Sequence, residues 1–208
     1  MKLKHSARTI AMAGHRGRGQ VATTALRAED PDLRALALGA ALRQKNLTVV
    51  ALESCLADPS PTVRRRAAEL APRLATLLRA EDPACGGRLT AAVVDLLDDA
   101  ECAEVAAFAL GELGHADAKV VAALERQGGA HDDPLCRESA VAALGALGAG
   151  RATVLAALGD VATVRRRAVI ALANLDGDDI VEALRAALDD RDWQVRQAAE
   201  DLLDDGGD

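Results

Sequence analysis

Aromatic side chains are almost missing from this sequence of 208 residues, which contains no Tyr, one Phe and one Trp. Half of the residues are nevertheless apolar, and most of these are Ala, Leu and Val. Such side chains suit helices that pack closely together, whereas aromatic residues are enriched in the strands of sandwiches and barrels. The composition therefore favours an all-α protein built from stacked helices.

Long apolar runs are also missing, since no uninterrupted stretch approaches the ~20 apolar residues of a membrane span. The apolar run at residues 9–13 is too short for the core of a signal peptide. We therefore expect a cytoplasmic protein that does not bind membranes.

The four cysteines, Cys55, Cys85, Cys102 and Cys136, form no C-x-x-C pair. Widely separated cysteines predict neither a disulfide framework nor a zinc knuckle, so we interpret them as reduced and packed. A metal site could be assembled from a larger polar set: His115, Asp117, His131, Asp132, Asp133 and Cys136. A helix between the two histidines would hold them roughly 15–20 Å apart, so we predict no metal site.

The net charge of −7 disfavours a general affinity for nucleic acid, whose phosphates are bound mainly by Lys and Arg. The charge is unevenly distributed: residues 1–28 carry six basic side chains and no acid, whereas residues 176–208 carry twelve acids and three bases. The basic end either caps a first repeat or binds nucleic acid, and its residues include Lys2, Lys4, Arg8, Arg16 and Arg18. Weak head-to-tail self-association with the acidic tail at 201–208 is a third hypothesis.

One pattern recurs along the whole chain, as in residues 58–67, which read DPSPTVRRRA. Its arginine serves as an anchor, and the equivalent positions are Arg8, Arg34, Arg64, Ala103, Arg137, Arg165 and Arg196. Three residues after each anchor stands an alanine: Ala11, Ala37, Ala67, Ala106, Ala140, Ala168 and Ala199. Apolar residues also occupy the position before each anchor, and mostly small or aliphatic ones the position six after it. These positions share one helical face, so the pattern predicts close packing of seven successive helices.

Second helices lie between the anchors, for example at residues 49–52, 120–124, 154–158 and 180–184. Asp-Pro and Asp-Asp pairs supply N-caps for the anchor helices, and Gly114, Gly148 and Gly177 are predicted to stop helices. Each repeat is therefore predicted to be a helical hairpin.

The pattern D-P-x-x-V-R-x-x-A-x-x-A-L-G-x-L-G resembles the HEAT repeat, particularly the short prokaryotic form called phycobilisome-lyase-like. The resemblance implies a right-handed α-solenoid of about seven helical hairpins, with one domain spanning 1–208. HEAT proteins include scaffolds, transport factors, chromophore lyases, DNA glycosylases and a hydroxylase, so the resemblance says more about fold than about chemistry.

Two enzyme branches of that family can be tested against the residues. The iron-dependent hydroxylase uses His-Glu pairs as ligands, and no histidine here is followed by Glu. The DNA glycosylases hold duplex in a basic groove lined with aromatics, which a lone Trp193 near the acidic end cannot supply. A lyase-like role cannot be tested in this way, because it is not marked by a specific catalytic motif, and it stays an alternative.

The segment 72–100 is the least regular part of the pattern. Its following anchor is Ala103 instead of Arg, and the interval before that anchor is the longest of the six. We expect an extra helix or a bend here, with Pro72 at the start of a new helix.

Three further features have competing interpretations. The anchor arginines form either an anion-binding row or a ladder to neighbouring aspartates. We favour the ladder, with candidate partners Asp30, Asp58, Asp133, Asp160 and Asp190. Phe108 and Trp193 are either interface residues or core residues, and we predict core positions for both. A G-x-G-x-x-A string at residues 17–22 lacks the preceding strand of a dinucleotide site and is interpreted as a turn.

No catalytic constellation is found, so we predict a non-enzymatic scaffold or adaptor without a cofactor, which binds a protein or peptide. The second helices would form its inner face, which is small, polar and mildly acidic. The candidate binding residues are Thr23, Glu53, Ser54, Thr90, Asp95, Glu125, Thr153, Glu182 and Arg185. The alternatives are nucleic-acid association through the basic end and a lyase-like chaperone role.

Overall fold

The computed structural model describes residues 6–13 and 19–205, and its regular elements are all helices. Contacts group the chain into two compact units, Met1–Cys102 and Ala103–Asp208. The prediction of a single domain over 1–208 stays a prediction.

Unit 1 consists of three helical hairpins. Its helices are α1 (Ala7–Ala13), α2 (Gly19–Ala25), α3 (Pro31–Arg43), α4 (Val49–Leu56), α5 (Pro61–Leu78) and α6 (Cys85–Val94), and a 3₁₀ turn at Asp95–Asp98 follows α6. The first helices pack in sequence, α1 on α3 and α3 on α5, while α2, α4 and α6 form the second layer.

Unit 2 repeats this arrangement with three further hairpins and a final first helix. Its helices are α7 (Ala103–Leu113), α8 (Ala118–Ala130), α9 (Pro134–Ala146), α10 (Arg151–Ala156), α11 (Ala162–Leu172), α12 (Asp178–Ala187) and α13 (Trp193–Asp205), and a 3₁₀ turn at Ala157–Gly159 follows α10. Here α7 packs on α9, α9 on α11, and α11 on α13.

The predicted caps begin and end several of these helices. Asp30 and Asp133 accept hydrogen bonds from backbone N–H groups of the first turns of α3 and α9, each of which starts with proline. Gly114 and Gly148 follow α7 and α9 with φ of 74° and 60°, a left-handed conformation that favours glycine. Gly177 differs from the prediction, because it precedes α12 instead of stopping α11.

Alanine lines the contact between first helices, as the repeat predicts. Six of the seven alanines three residues after the anchors are fully buried: Ala37, Ala67, Ala106, Ala140, Ala168 and Ala199. The exception is the first repeat, where Ala11 is exposed and Ile10 is buried. Ser6 caps α1 through its hydroxyl. The buried position of this helix therefore lies one residue earlier than the choice of Arg8 as the anchor predicts.

The segment 72–100 is more regular than its sequence suggests. Pro72 lies inside α5, so it does not open a new helix. Its ring nitrogen carries no N–H and removes one helical hydrogen bond, yet α5 continues to Leu78. The long interval between anchors contains a longer first helix, the loop before Cys85, the second helix α6 and its 3₁₀ turn. The expected extra helix is absent from these described residues.

Gly145→Ala should destabilise unit 2. A Cβ at this position would lie 2.7 Å from the Ala171 Cα on the neighbouring helix α11. Forcing the two helices apart should lower the free energy of unfolding by about 1–3 kcal/mol, measured by urea denaturation. As a control, Gly129→Ala meets nothing within 4 Å and should be neutral or stabilise by up to about 1 kcal/mol. Equal effects of the two changes would contradict this packing argument.

Candidate functional site

Four anchor arginines form ion pairs with an aspartate of the next repeat. The pairs are Arg34 with Asp58, Arg64 with Asp99, Arg137 with Asp160, and Arg165 with Asp190. Each guanidinium donates from Nε and Nη2 to its carboxylate at 2.7–2.8 Å. We call these four pairs the ladder, and they confirm the structural interpretation of the anchor arginines.

The third guanidinium nitrogen, Nη1, binds the loop before the arginine's own helix. In Arg34 it donates to the carbonyls of Ala28 and Glu29, and in Arg137 to those of His131 and Asp132. Each ladder arginine thus ties its own loop to the next repeat, and this use of its donors leaves it poorly suited to bind a separate anion.

Two of the predicted ladder aspartates have another role. Asp30 and Asp133 cap α3 and α9, whereas the unpredicted Asp99 pairs with Arg64. An aspartate before a helix can cap it or accept an arginine, and sequence spacing alone does not distinguish these roles.

The ladder shifts the pKa of its carboxyl groups downwards. The hydrogen bond from Arg137 lowers the pKa of Asp160, and that from Arg165 lowers the pKa of Asp190, each against the opposing effect of burial. Burial raises the pKa of Asp58 most strongly, but hydrogen bonds from Arg34 and the Ser60 N–H outweigh it, so the net pKa is lowered. These carboxylates are therefore held in the charged state.

At one position of the repeat, the arginine and the aspartate of a ladder pair are both replaced by other residues. Ala103 stands where the other repeats carry arginine, and His131 stands six residues before Arg137, where Asp58 stands before Arg64. The His131 Nδ1 accepts the N–H of Asp133, just as the Asp58 carboxylate accepts the N–H of Ser60. The two replacements occur together, so the ladder is interrupted inside unit 2.

Gln127 provides hydrogen bonds between neighbouring repeats where the arginine is missing. Its buried amide donates to the carbonyls of Ala103 at 3.2 Å and Cys136 at 3.0 Å, which ties α8 to both neighbouring first helices. The Gln127 Oε1 is buried without a hydrogen-bond partner. Sequence reasoning missed this residue, because a single glutamine within a helix carries no pattern.

The candidate binding residues of the inner face are distributed over both units. Glu53 and Asp95 line one groove of unit 1, Ser54 is exposed on α4, and Thr23 is half-buried on α2. In unit 2, Glu125 and Thr153 are half-buried, while Glu182 and Arg185 are exposed on α12. Their role in binding stays a prediction.

Thr90 is wrong as a candidate binding residue. It is 1% exposed, and its hydroxyl donates to the carbonyl of Gly86 within α6 at 2.9 Å. A threonine that satisfies its hydroxyl on its own helix can be buried at low cost, which the polar residue type alone does not reveal.

The groove that contains Glu53 and Asp95 has a volume of about 440 Å³ and lies between α4, α6 and the 3₁₀ turn. Apolar side chains line it: Leu56, Ala57, Ala92 and Leu96. Charged side chains line it too: Glu53, Asp95, Asp98, Asp99 and Arg64. Arg64 already pairs with Asp99, and Glu53 lies 3.6 Å from the guanidinium of Arg88. Carboxylates still outnumber arginines among the lining residues, so the lining carries a net negative charge. We call this feature the acidic groove.

Most of the predicted basic end lies outside the described residues, namely Lys2, Lys4, Arg16 and Arg18, as do residues 17–18 of the glycine string and residues 206–208 of the acidic tail. Arg8 is exposed on α1.

The core positions predicted for the two aromatic residues are wrong. Phe108 is 58% exposed on α7, and Trp193 is 64% exposed at the start of α13. Trp193 and Ile170 line a second groove, of about 310 Å³, between α11 and α13. For Phe108, the position in the repeat could have indicated this exposure, because it stands five residues after an anchor and away from the buried stripe. Ile170 occupies the same position in its repeat.

All four cysteines are buried, as the sequence predicts. Burial raises the pKa of the Cys55 and Cys102 thiols, which keeps them protonated and unreactive. Within residues 6–13 and 19–205, no group of three or more His, Cys, Asp or Glu could hold a metal ion. No helix among these residues is long and apolar enough to span a bilayer.

Residues 164–190 match the family model of the PBS lyase HEAT-like repeat. The chain carries a PBS lyase HEAT-like repeat. The match covers most of α11, all of α12 and the ladder residues Arg165 and Asp190, so this HEAT-like repeat is a hairpin with its ladder pair. No curated protein matches the chain at a significant level.

Solved structures resemble most of the chain at low sequence identity. An engineered protein is 18% identical with a TM-score of 0.62, over 90% of this chain and 95% of its own. The complex of CpcE and CpcF of phycocyanin lyase from Nostoc sp. PCC7120 is 23% identical with a TM-score of 0.62, over 89% of this chain and 75% of its own. A second engineered protein is 19% identical with a TM-score of 0.62, over 96% of this chain and 60% of its own. The predicted all-α solenoid of HEAT-like hairpins is thereby confirmed, while its handedness stays a prediction.

Asp160→Asn should lower the free energy of unfolding at pH 7 by about 1–3 kcal/mol, because it removes the charge from a hydrogen-bonded pair. The folded pKa of Asp160 is lowered, so its carboxylate stabilises the fold above the unfolded pKa of about 3.9. That contribution is lost as the pH falls through the folded pKa. The difference between wild type and variant, measured by urea denaturation, should therefore shrink below about pH 4.

Asp132 is exposed in the loop before α9 and provides a control. Asp132→Asn should change stability by less than about 0.5 kcal/mol. A difference for Asp160→Asn that stays constant from pH 7 to about pH 3 would contradict the charged state of this pair.

Proposed function

We propose that this protein is a non-enzymatic scaffold, and that the acidic groove of unit 1 binds a basic, amphipathic segment of a partner protein. The observation that carries the proposal is the lining of the groove, in which Ala57, Ala92 and the edges of the nearly buried Leu56 and Leu96 lie beside an excess of carboxylates. A helix with leucines on one face and lysines on the other complements both parts of this lining. Apolar burial supplies affinity, and the carboxylates favour a basic partner over an acidic one.

The shifted pKa values support binding over catalysis. Strongly perturbed groups often mark catalytic sites, but here the shifted carboxyl groups belong to the ladder and the shifted thiols are buried. Both sets have a structural explanation. A similar fold also occurs in a complex of two proteins, CpcE and CpcF, which is in keeping with an interaction role.

The test uses a synthetic helical peptide of about 16 residues, enough for a marginal helix in water, with Leu and Ala on one face and Lys on the other. The protein should bind it, measured by fluorescence anisotropy of a labelled peptide. A combined variant with Glu53→Gln, Asp95→Asn and Asp98→Asn should weaken binding by roughly threefold to a hundredfold, since each partly exposed charge pair contributes about 0.2–1 kcal/mol. The effect should diminish at high salt.

The matched control removes three exposed carboxylates of unit 2, through Glu112→Gln, Asp132→Asn and Asp176→Asn. This variant has the same net charge as the groove variant and should bind the peptide like the wild type. A second peptide with Glu in place of Lys should not bind. Equal loss of binding in both variants would show that overall charge, and not the groove, attracts the peptide, and no binding by the wild type would overturn the proposal.

A further inference from the structure

Two guanidinium groups of unit 1 converge on one point of helix α3. A Cβ built on Gly39 would lie 3.0 Å from the Nη2 of Arg66 and 3.4 Å from the Nη1 of Arg43. Arg43 belongs to α3 itself, whereas Arg66 reaches across from α5, which packs against α3. Gly39 stands five residues after its anchor, where the other repeats carry a side chain: Ala13, Glu69, Phe108, Ala142, Ile170 and Asp201. The glycine leaves room for both arginines.

Neither of these arginines belongs to the ladder, and each has a donor to spare. Arg66 donates from Nη1 to the Glu69 carboxylate at 2.7 Å, which leaves its Nη2 for another acceptor. Within residues 6–13 and 19–205, the guanidinium of Arg43 has no ion-pair or hydrogen-bond partner. Two like charges that point at one place repel one another, and an anion held between them replaces this repulsion by attraction.

The surrounding charges leave these two helices positive. Asp32 lies in the first turn of α3, about 10 Å from Gly39 along the helix. Helix α1, which packs on α3, contains no acid. Outside the ladder, α3 and α5 carry two acids, Asp32 and Glu69, and four arginines, Arg43, Arg65, Arg66 and Arg73. The excess is therefore two positive charges.

We propose that Arg43 and Arg66 bind a phosphate monoester or free phosphate, the monoester being a phosphorylated side chain of a partner protein. Such a group carries a charge of about −1.5 to −2, which matches the excess on α3 and α5, whereas a carboxylate supplies only one charge. Its oxygens accept hydrogen bonds from two guanidinium groups at once. Arg73 is exposed two turns beyond Arg66 on the same side of α5, and it adds to the attraction.

The arrangement favours a single doubly charged group over a nucleic-acid backbone. Each phosphate of that backbone carries one charge, and binding requires many Lys and Arg contacts, whereas these two guanidinium groups serve one point. The net charge of −7 also repels a polyanion. Gly39, Arg43 and Arg66 take no part in the acidic groove, so failure of either proposal leaves the other standing.

Titration of the protein with inorganic phosphate at low ionic strength, followed by phosphorus NMR, tests the site. The wild type should bind with a dissociation constant of about 1 mM, as expected for two charge-assisted contacts. Acetate at the same ionic strength should not compete. Arg43→Gln should weaken binding by about tenfold or more, because it removes one guanidinium without disturbing another pair. Gly39→Leu should weaken it as much, since the new side chain fills the point of convergence.

A peptide with one phosphoserine distinguishes the two sources of the phosphate group. Its binding is measured by fluorescence anisotropy, beside the unphosphorylated form of the same peptide, which should not bind. Tighter binding of the phosphopeptide than of free phosphate assigns the site to a phosphorylated partner. Equal or weaker binding assigns it to free phosphate.

Arg79→Gln is the matched control, because it removes the same charge from an exposed residue about 20 Å from Arg66 along α5. Phosphate binding should be unchanged in this variant. Gly39→Leu should keep the urea midpoint of the wild type, since exposed Phe108 and Ile170 occupy the equivalent position in unit 2. A wild type that binds no phosphate, equal losses in Arg43→Gln and Arg79→Gln, or tighter binding of duplex DNA than of the phosphopeptide would overturn the proposal.

Discussion

The close approach of neighbouring first helices is the constraint on which the remaining structure depends. In unit 2, a Cβ added at Gly145 would lie 2.7 Å from Ala171 Cα, and one added at Gly111 would lie 3.0 Å from Ala143 Cα. Helices that pack this closely leave no space between them for large side chains. The shortage of aromatic residues in the sequence follows from this geometry, and the two that occur are placed at the surface.

The ladder depends on the same spacing. An arginine reaches the aspartate of the next repeat only because the two loops lie close together, and it also satisfies the carbonyls before its own helix. Where Ala103 and His131 replace such a pair, Gln127 from the second layer joins the two neighbouring repeats instead. Buried carbonyls therefore have hydrogen-bond donors on both types of connection, which is what burial of backbone groups requires.

The two units present surfaces of different chemistry. The acidic groove of unit 1 combines carboxylates with aliphatic side chains, whereas unit 2 exposes two aromatic side chains, Phe108 and Trp193, on its first helices. Since the ladder arginines are occupied, the charges available for recognition belong to other positions of the repeat. The buried stripe and the ladder are common features of the repeat. The side chains at the other positions give each unit a different surface.

The sequence by itself determined the helical hairpins, the buried alanines and the ladder, because these features repeat at fixed spacings that helical periodicity interprets. It failed where one residue type serves two environments: Thr90 is buried through a hydrogen bond to its own helix, and Pro72 is tolerated inside α5. Only the tertiary structure decided that Glu53 and Asp95 share a groove and that Phe108 and Trp193 are exposed. Such outcomes depend on which side of a helix meets its neighbour, and that is set by packing against the adjacent repeats, which the periodicity of a single helix does not specify.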